Sequence, residues 1–421
     1  MKKITALIIF FIVASSIGYT RAQTVALDSL ISTAVRLSPK IKMLKAKLNA
    51  AKDRIPQVSN LPDPMLTLGM MNLPTNSFSF TQEAMTGKIV GLSQQFPFPG
   101  KLSTMGKISQ EDAEIVKQEL EDAKNEIIKN VTNAYYELAF IRKSEAIEND
   151  SKTLLKSIAE VVRTKYSVNT ASQQNLLKVE LEITNVNDKL DQLADMESSQ
   201  LSILNSYLLK PADSPLLINE DFKFNFLSLT QARLDSLAAE FRPFLKGINI
   251  AERKAALQKT LAGFDYYPNF TVGVQYTQRD RLAQTNMNLH DLVSLVVGIS
   301  LPLNYGGKVS AKVEETESME ELYRQQYNAS LQMLNSGFGS AVSKLNTLEK
   351  RIKLLEEGMY PQADQTLKAA LAGYQVGTID FINVIDSENK LFQIETSLYR
   401  LRTNYLKEIA SLEFLVGTKL K

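Results

Sequence analysis

An internal repeat is the feature of this 421-residue chain that most restricts what it can fold into. Two short segments each occur twice, as FPFPGKLS and YSVNT in the first half and as LPLNYGGKVS and YQVGT in the second. The lysines of the first pair, Lys101 and Lys308, are 207 positions apart, and the tyrosines of the second, Tyr166 and Tyr374, are 208 apart. Two signatures with a nearly identical offset predict two copies of one structural unit.

The N-terminus indicates export from the cytoplasm. Lys2 and Lys3 precede an apolar run at residues 4–13, and small residues at Thr20 and Ala22 suit a cleavage site before Gln23. This pattern is typical of a secretory signal peptide and is short for an anchoring helix. The expected parts are a signal peptide at residues 1–22 and two repeats at residues 23–214 and 215–421.

Composition excludes several classes of function. The chain has no cysteine, which rules out disulfides, thiol chemistry and N-terminal lipidation, and a single histidine, His290. The 48 basic and 46 acidic residues nearly balance, so we expect no nucleic-acid partner. Gly306-Gly307-Lys308 lacks the spaced glycine of a nucleotide-binding loop. We therefore predict no enzymatic activity, no cofactor and no metal site.

Each repeat contains a long helical segment. Residues 101–210 include no proline and one glycine, and apolar residues recur at three- and four-residue steps. One such stripe is Ile127, Val131, Ala134, Leu138 and Ile141. The pattern predicts an amphipathic helix over about residues 103–166, on the order of 90 Å long, which is typical of coiled-coil tubes. A turn at residues 168–170 would reverse the chain into a second helix ending near Pro211, and residues 376–378 would do the same in the second repeat.

A different pattern precedes each helical hairpin. Residues 269–277 and 293–301 alternate between apolar and polar or small side chains, and residues 65–71 and 88–96 repeat the pattern more weakly. These lengths suit either membrane-spanning strands or a sheet with one buried face. No apolar run after Gln23 approaches the roughly 20 residues of a transmembrane helix, so any membrane crossing must use strands.

Four strands cannot close a barrel, and the backbone of an open edge cannot go unpaired in lipid. The strands must therefore cover their apolar face with helices of the same chain or close with further chains. We favour closure of the sheet into a barrel with further chains. Two chains would give eight strands, and three would give twelve strands with room for a channel.

The repeat, the strand pairs and the long hairpins resemble the TolC-type outer membrane efflux proteins over the whole mature chain. Residues 64–69, 87–95 and 96–101 look most like the heavy-metal branch of that family. The resemblance implies a mainly α fold with membrane β-strands, in a homotrimer that closes a 12-stranded β-barrel and a periplasmic α-helical barrel. It also implies an outer-membrane location without a lipid anchor, and partnership with a periplasmic adaptor and an inner-membrane pump.

The resemblance also assigns sites. Relatives carry two inward-facing acids beyond the second tip turn, and these positions hold Asn383 and Asp386 here. The tip turns, implied to dock the adaptor, contain Tyr166, Val168, Asn169, Thr170, Tyr374, Val376, Gly377 and Thr378. The corners between strands and helices contain Pro97, Pro99, Gly100, Lys101, Pro302, Gly306, Gly307 and Lys308. Three acids per trimer at Asp386 would attract cations, although a single helix aspartate is often simply solvated.

Two questions stay open in the sequence. A charged latch that relatives use to close the tip keeps its tyrosine at Tyr374, but Ile379 replaces the basic residue and Asn175 the acid. Two alternatives remain: packing and amide hydrogen bonds hold the tip closed in place of the charged latch, or the tip is less tightly closed. Methionines near the first strand pair suit soft cations, although methionine at strand spacing is more often packing material. The alternative function is a soluble periplasmic coiled-coil scaffold or adaptor.

Overall fold

The computed structural model describes residues 26–220, 222 and 224–420. The predicted signal peptide lies outside these residues. The helices are α1 (Leu27–Leu37), α2 (Pro39–Ser59), α3 (Lys101–Ser167), α4 (Gln173–Leu208), α5 (Gln231–Phe241), α6 (Pro243–Gly263), α7 (Lys308–Lys353), α8 (Tyr360–Val376) and α9 (Phe381–Val416). The strands are β1 (Met65–Met71), β2 (Gly87–Phe96), β3 (Phe270–Gln278) and β4 (Leu292–Ile299).

The chain forms two compact units, and each combines segments from both halves of the sequence. Among the described residues, the helical unit comprises residues up to Lys42, Ala123–Glu240 and Leu334 onward. The strand unit comprises Met43–Asp122 and Phe241–Met333. Each unit therefore takes equivalent pieces from the two predicted repeats, whose boundary near residue 214 stays a prediction.

The strand unit contains one antiparallel sheet in the order β1-β2-β3-β4. The register aligns Leu66, Leu92, Val274 and Leu295 across the four strands. A second row contains Leu68, Val90, Tyr276 and Val293. All eight side chains are exposed, up to 73% for Val293, so one apolar face of the sheet is uncovered in the protomer. The opposite face carries residues such as Thr67, Gly91, Gln275 and Ser294.

The predicted strands lie within two residues of the observed ones. The main difference is at β4, which ends at Ile299 rather than at Leu301. Pro302 follows closely and has no N–H to continue a ladder. β1 and β4 form the two sheet edges, and neither has a further strand beside it within the described residues.

Each repeat also contains two shorter helices that the sequence analysis missed. α1 and α2 have 11 and 21 residues, and α5 and α6 have the same lengths. Pro39 and Pro243 begin the longer helix of each pair, because a proline at the first helical position gives up only an N–H that has no helical partner. A repeat is therefore two short helices, a strand pair and a long hairpin.

The helical unit holds the ends of both hairpins. The stripe predicted on α3 is buried at every position, from 0% exposure at Leu138 to 6% at Ile127 and Ala134. The tip ends of α3, α4, α8 and α9 share one core that includes Val162, Val179, Tyr374 and Val384. None of the described helices combines the length and the apolar character that a membrane crossing requires.

The two hairpins differ in their first helix. α3 runs through 67 residues without interruption, whereas a π-helical turn, Leu354–Met359, separates α7 from α8. Pro361 follows this turn and has no N–H for the carbonyl four residues earlier. The turn ends with the N–H of Tyr360 bonded to the carbonyl of Leu355, five residues earlier, which is the π-helical pattern.

Candidate functional site

The two tip turns have the same backbone hydrogen bonds. At the end of α3, Thr170 donates its N–H to the carbonyl of Lys165 at 2.8 Å, and its hydroxyl donates to the same oxygen at 2.9 Å. At the end of α8, Thr378 makes both bonds to Gly373, at 2.9 and 3.1 Å. This is the six-to-one bond that closes many helix C-termini, so the predicted tip signatures mark equivalent turns.

Each turn needs one residue in the left-handed conformation. Gly377 has φ 80°, where a glycine carries no Cβ penalty. Asn169 stands at the same place in the first turn with φ 59°, and asparagine tolerates this region better than most residues. Val168 and Val376, the neighbouring residues, are 64% and 75% exposed and lie on the surface of the tip.

A lysine from the first hairpin holds the end of the second. The Lys165 ammonium donates to the carbonyls of Tyr374 and Gln375, at 2.7 and 3.1 Å. It also lies 4.7 Å from the centre of the Tyr374 ring. A cation at the last carbonyls of a helix is stabilised by the helix dipole. The tip therefore has a charged contact between the two repeats that the sequence analysis did not identify.

The residues at the latch positions make packing contacts. Ile379 covers Gly373 so closely that a Cβ built there would lie 2.6 Å from the Ile379 Cδ1. The Tyr374 hydroxyl is buried and has no hydrogen bond of good geometry within the described residues. Burial raises the pKa of this phenol, and the nearby amide of Asn175 opposes the shift. Ile379 thus makes an apolar contact within its own hairpin at the position where the resemblance implied a basic residue, and the tip's state in an assembly stays a prediction.

The predicted gate residues lie on one exposed face of α9. Asn383 and Asp386 are three positions apart, which places them on the same side of the helix, and both are exposed in the protomer. The opposite side carries Phe381, Val384 and Ile385, all at 3% exposure or less. The side chains of Asn383 and Asp386 are thus free to face another surface or a solvent-filled space.

One acid on α9 points the other way. Glu388 is 1% exposed and accepts a hydrogen bond from the Ser151 hydroxyl of α3. Burial raises the pKa of Glu388 to about 7, with Glu148 and Glu182 adding to the shift and Ser151 and Lys189 opposing it. The carboxyl therefore changes charge near neutral pH inside the packed tip bundle. Glu388 follows Phe381, Val384 and Ile385 at helical spacing, so it lies on the buried face of α9. An acidic residue at that spacing is the signal by which the sequence could have identified a buried carboxyl.

The strand-to-helix corners lie in the strand unit. Lys101 at the start of α3 and Lys312 on α7 both donate to Asp265, at 2.6 and 2.5 Å. Burial opposes ionisation of Asp265, but the two lysines outweigh it and lower its pKa. Gly100 has φ 93°, and a Cβ there would lie 3.0 Å from the Phe264 ring. One carboxylate thus joins the helices that follow the two strand pairs.

The prolines and glycines of the corners determine the backbone conformation between each strand pair and the helix that follows it. Pro97 and Pro99 flank Phe98, whose ring stacks on Tyr267 with centroids 4.5 Å apart. In the second corner Pro302 precedes three residues with positive φ, namely Asn304, Gly306 and Gly307. The Asn304 side chain accepts the N–H of Val309, which caps the start of α7. Lys101 and Lys308 line one cavity of about 490 Å³, so the structure brings both corners together.

Comparisons with known proteins agree with this geometry. The family described as Outer membrane efflux protein matches residues 234–418. The TolC outer membrane protein of Escherichia coli is 25% identical over 307 residues, 69% of this chain, and the match spans 59% of that relative's length. The cobalt-zinc-cadmium resistance protein CzcC of Cupriavidus metallidurans is 27% identical over 132 residues, 30% of this chain and 28% of its own.

The fold itself is that of a solved outer membrane protein. The crystal structure of VceC from Vibrio cholerae covers 94% of this chain and 97% of its own, with a TM-score of 0.76 and 18% identity. At this identity the match concerns the fold, which the repeat, the strand pairs and the long hairpins had predicted. The chain is thus similar in sequence to outer membrane efflux proteins and shares the fold of one of them over nearly its whole length.

Proposed function

We propose that the chain is one protomer of an outer-membrane efflux duct, a passive exit channel in a Gram-negative cell. The observation that carries this proposal is the continuous apolar face of the four-stranded sheet, which no described helix covers. The reverse face is polar, as expected for strands with lipid on one side and water on the other. The protein performs no chemistry in this proposal and needs no cofactor.

The open sheet edges support assembly into a homotrimer. β1 and β4 present unpaired backbone groups that lipid cannot satisfy. Pairing of β4 with β1 of the next protomer, repeated three times, gives a 12-stranded barrel with room for a channel. The long hairpins then line a periplasmic tunnel, and their tips meet a periplasmic adaptor and an inner-membrane pump that supplies the energy.

The tip of this tunnel is the proposed gate. Three copies of Asp386 would form a negative ring near the exit from the pump, with three Asn383 amides one turn away. Such a ring attracts cations and disfavours anions. The exposure of both residues on one face of α9 supports this arrangement. Heavy-metal cations are the substrate class we favour, because CzcC is named for resistance to cobalt, zinc and cadmium.

Two substitutions on one strand test the membrane proposal. Leu295 lies on the apolar face and Ser294 on the polar face of β4. A lysine at a lipid-facing position near the bilayer midplane costs about 2–4 kcal/mol, whereas a lumen-facing lysine costs far less. We expect Leu295→Lys to abolish heat-resistant oligomers in the outer-membrane fraction, and Ser294→Lys to leave them near the wild-type amount.

The soluble scaffold predicts a different result. In that case the exposed leucine faces water, so Leu295→Lys would be tolerated and would improve solubility without detergent. Equal tolerance of both variants would therefore contradict the membrane proposal and favour the scaffold. Loss of both variants would indicate that β4 is buried on both faces, which also contradicts it.

A further inference from the structure

The cavity at the strand-to-helix corners has an excess of positive charge. Three lysines line it, Lys101, Lys308 and Lys312, against the single carboxylate of Asp265. Asp265 is shared by Lys101 and Lys312. Lys308 is exposed and forms no ion pair with any described residue. The lining therefore has a net charge of +2, and Lys308 is the one of its three lysines without a carboxylate partner among the described residues.

The residues that line this cavity change from apolar to charged between Leu301 and Lys308. Leu301 and Leu303 continue the alternation of the apolar face of β4 and are 73% and 61% exposed. Tyr305 follows at 81% exposure, and Lys308 comes one turn later. Tyrosine is enriched where membranes meet water, and lysines at that depth attract anionic headgroups.

The first corner offers no comparable site. Its aromatic residue, Phe98, stacks on Tyr267 and approaches Phe264, with centroids 6.0 Å apart. Its lysine, Lys101, donates to Asp265 at 2.6 Å and already has a carboxylate partner. Tyr305 and Lys308 hold the equivalent places in the second corner, and there the ring has no aromatic partner among the described residues. The second corner therefore offers an exposed ring, Tyr305, and a lysine without a carboxylate partner among the described residues, Lys308.

We infer that this cavity binds the phosphate headgroup of a phospholipid from the periplasmic leaflet of the outer membrane. Lys308 and Lys312 contact the phosphate, Tyr305 and Tyr267 lie at the depth of the headgroup, and one acyl chain follows Leu301 and Leu303 onto the apolar face of β4. This inference rests on the proposed membrane position of the strands. A bound lipid would fill the corner beside α7 and fix the depth of each protomer in the bilayer.

The test counts phospholipids on the purified, delipidated full-length oligomer by native mass spectrometry. The probe is dihexanoyl phosphatidylglycerol, with inorganic phosphate as a separate arm. The variants are Lys308→Met, Lys312→Met and the double substitution. The control is Lys107→Met, which removes an exposed lysine of α3 that does not line the cavity and has no ion pair among the described residues.

Each of the two lysines is expected to contribute about fivefold to lipid affinity, and the pair about 25-fold. The control should bind like the wild type. Unchanged binding in the double variant would overturn the inference, and so would inorganic phosphate binding as tightly as the lipid, because that result defines an anion site without a chain. Protection of Lys308 from acetylation in the lipid-free oligomer would also overturn it, since a neighbouring protomer would then fill the cavity.

Channel conductance of the same preparations separates this inference from the proposed function. The Lys107→Met control should conduct like the wild type. A wild-type oligomer that binds the lipid but forms no pores would contradict the duct and leave the lipid site standing. A wild-type oligomer that forms pores but binds no lipid would contradict the lipid site and support the duct.

Discussion

The tip ends of the two hairpins have the same turn and different supports. The first reaches its turn through an unbroken α3 and has a serine cap, Ser172, whose side chain accepts the N–H of Asn175. The second follows a π-helical turn, and Asp380 at the start of α9 caps no N–H with its side chain. It also carries both proposed gate residues.

What holds the second hairpin comes largely from the first. Lys165 donates to the last carbonyls of α8, and Ser151 donates to the buried Glu388 of α9. The repeat has thus become asymmetric, with one hairpin as support and the other as the supported gate. Removing a contact between them, or one within the second hairpin, should loosen the second hairpin and leave the first in place, and the following changes test that expectation.

The largest effect is expected from the charge of Glu388. Its carboxyl stays protonated in the folded tip up to about pH 7, while the unfolded chain releases the proton near the ordinary value of 4.5. The folded state binds more protons between these values, so its stability is complete below pH 4.5 and is lost as the pH rises through 7. The shift corresponds to at most on the order of 3 kcal/mol. Amide hydrogen exchange of α9 at pH 5.5 and 8.5 measures it.

The variant Glu388→Gln keeps the neutral form at every pH and should remove this dependence. Asp386→Asn is the control, because it neutralises an exposed acid two residues away and should preserve the dependence. The charged groups around Glu388, namely Glu148 on α3 and Glu182 and Lys189 on α4, are unchanged in both. A pH dependence that survives Glu388→Gln would show that another group titrates in the tip.

The next effect concerns the close contact of Gly373 with Ile379. Gly373→Ala places a Cβ 2.6 Å from a side-chain carbon of Ile379, so we expect a loss of about 2 kcal/mol from overpacking. Gly337→Ala on α7 is the matched control, since nothing lies within 4 Å of its Cβ and alanine favours a helix by about 1 kcal/mol. Thermal unfolding of the two variants should shift in opposite directions, and equal shifts would contradict the packed latch.

A smaller effect should follow from the lysine at the tip. Lys165→Met removes the charge from the C-terminus of α8 and keeps the side-chain length, which should cost about 1 kcal/mol. Hydrogen exchange should accelerate at residues 376–378 and remain unchanged at residues 168–170. Lys156→Met, at an exposed lysine with no ion pair among the described residues, is the control. Equal acceleration of both turns would contradict the asymmetry between the hairpins.

Local patterns in the sequence predicted the elements, because their periods survive any tertiary arrangement. Alternation over residues 269–277 indicated β3, and the stripe beginning at Ile127 indicated the buried face of α3. The four shorter helices, which lie ahead of the strand pairs, were not predicted from the sequence. The matched prolines Pro39 and Pro243 could have revealed them.

Contacts between distant residues were beyond sequence reasoning. Lys165 meets Tyr374 and Ser151 meets Glu388 only because the repeats fold together, and those partners are more than 200 positions apart. The contacts of Asp265 with Lys101 and Lys312 likewise join residues that are far apart in the sequence. The missing charged latch was visible as Ile379, but its replacement by packing on Gly373 needed coordinates.

The most direct test of the account is single-channel recording of the purified mature protein in a planar lipid bilayer. The wild type should give small, cation-preferring steps, and the reversal potential in a salt gradient should move toward zero in Asp386→Asn. Asp364→Asn, on α8 and paired with Lys368, should keep the wild-type selectivity. A well-folded oligomer that inserts no pores would contradict the duct, and pores with unchanged selectivity in Asp386→Asn would contradict the acidic gate.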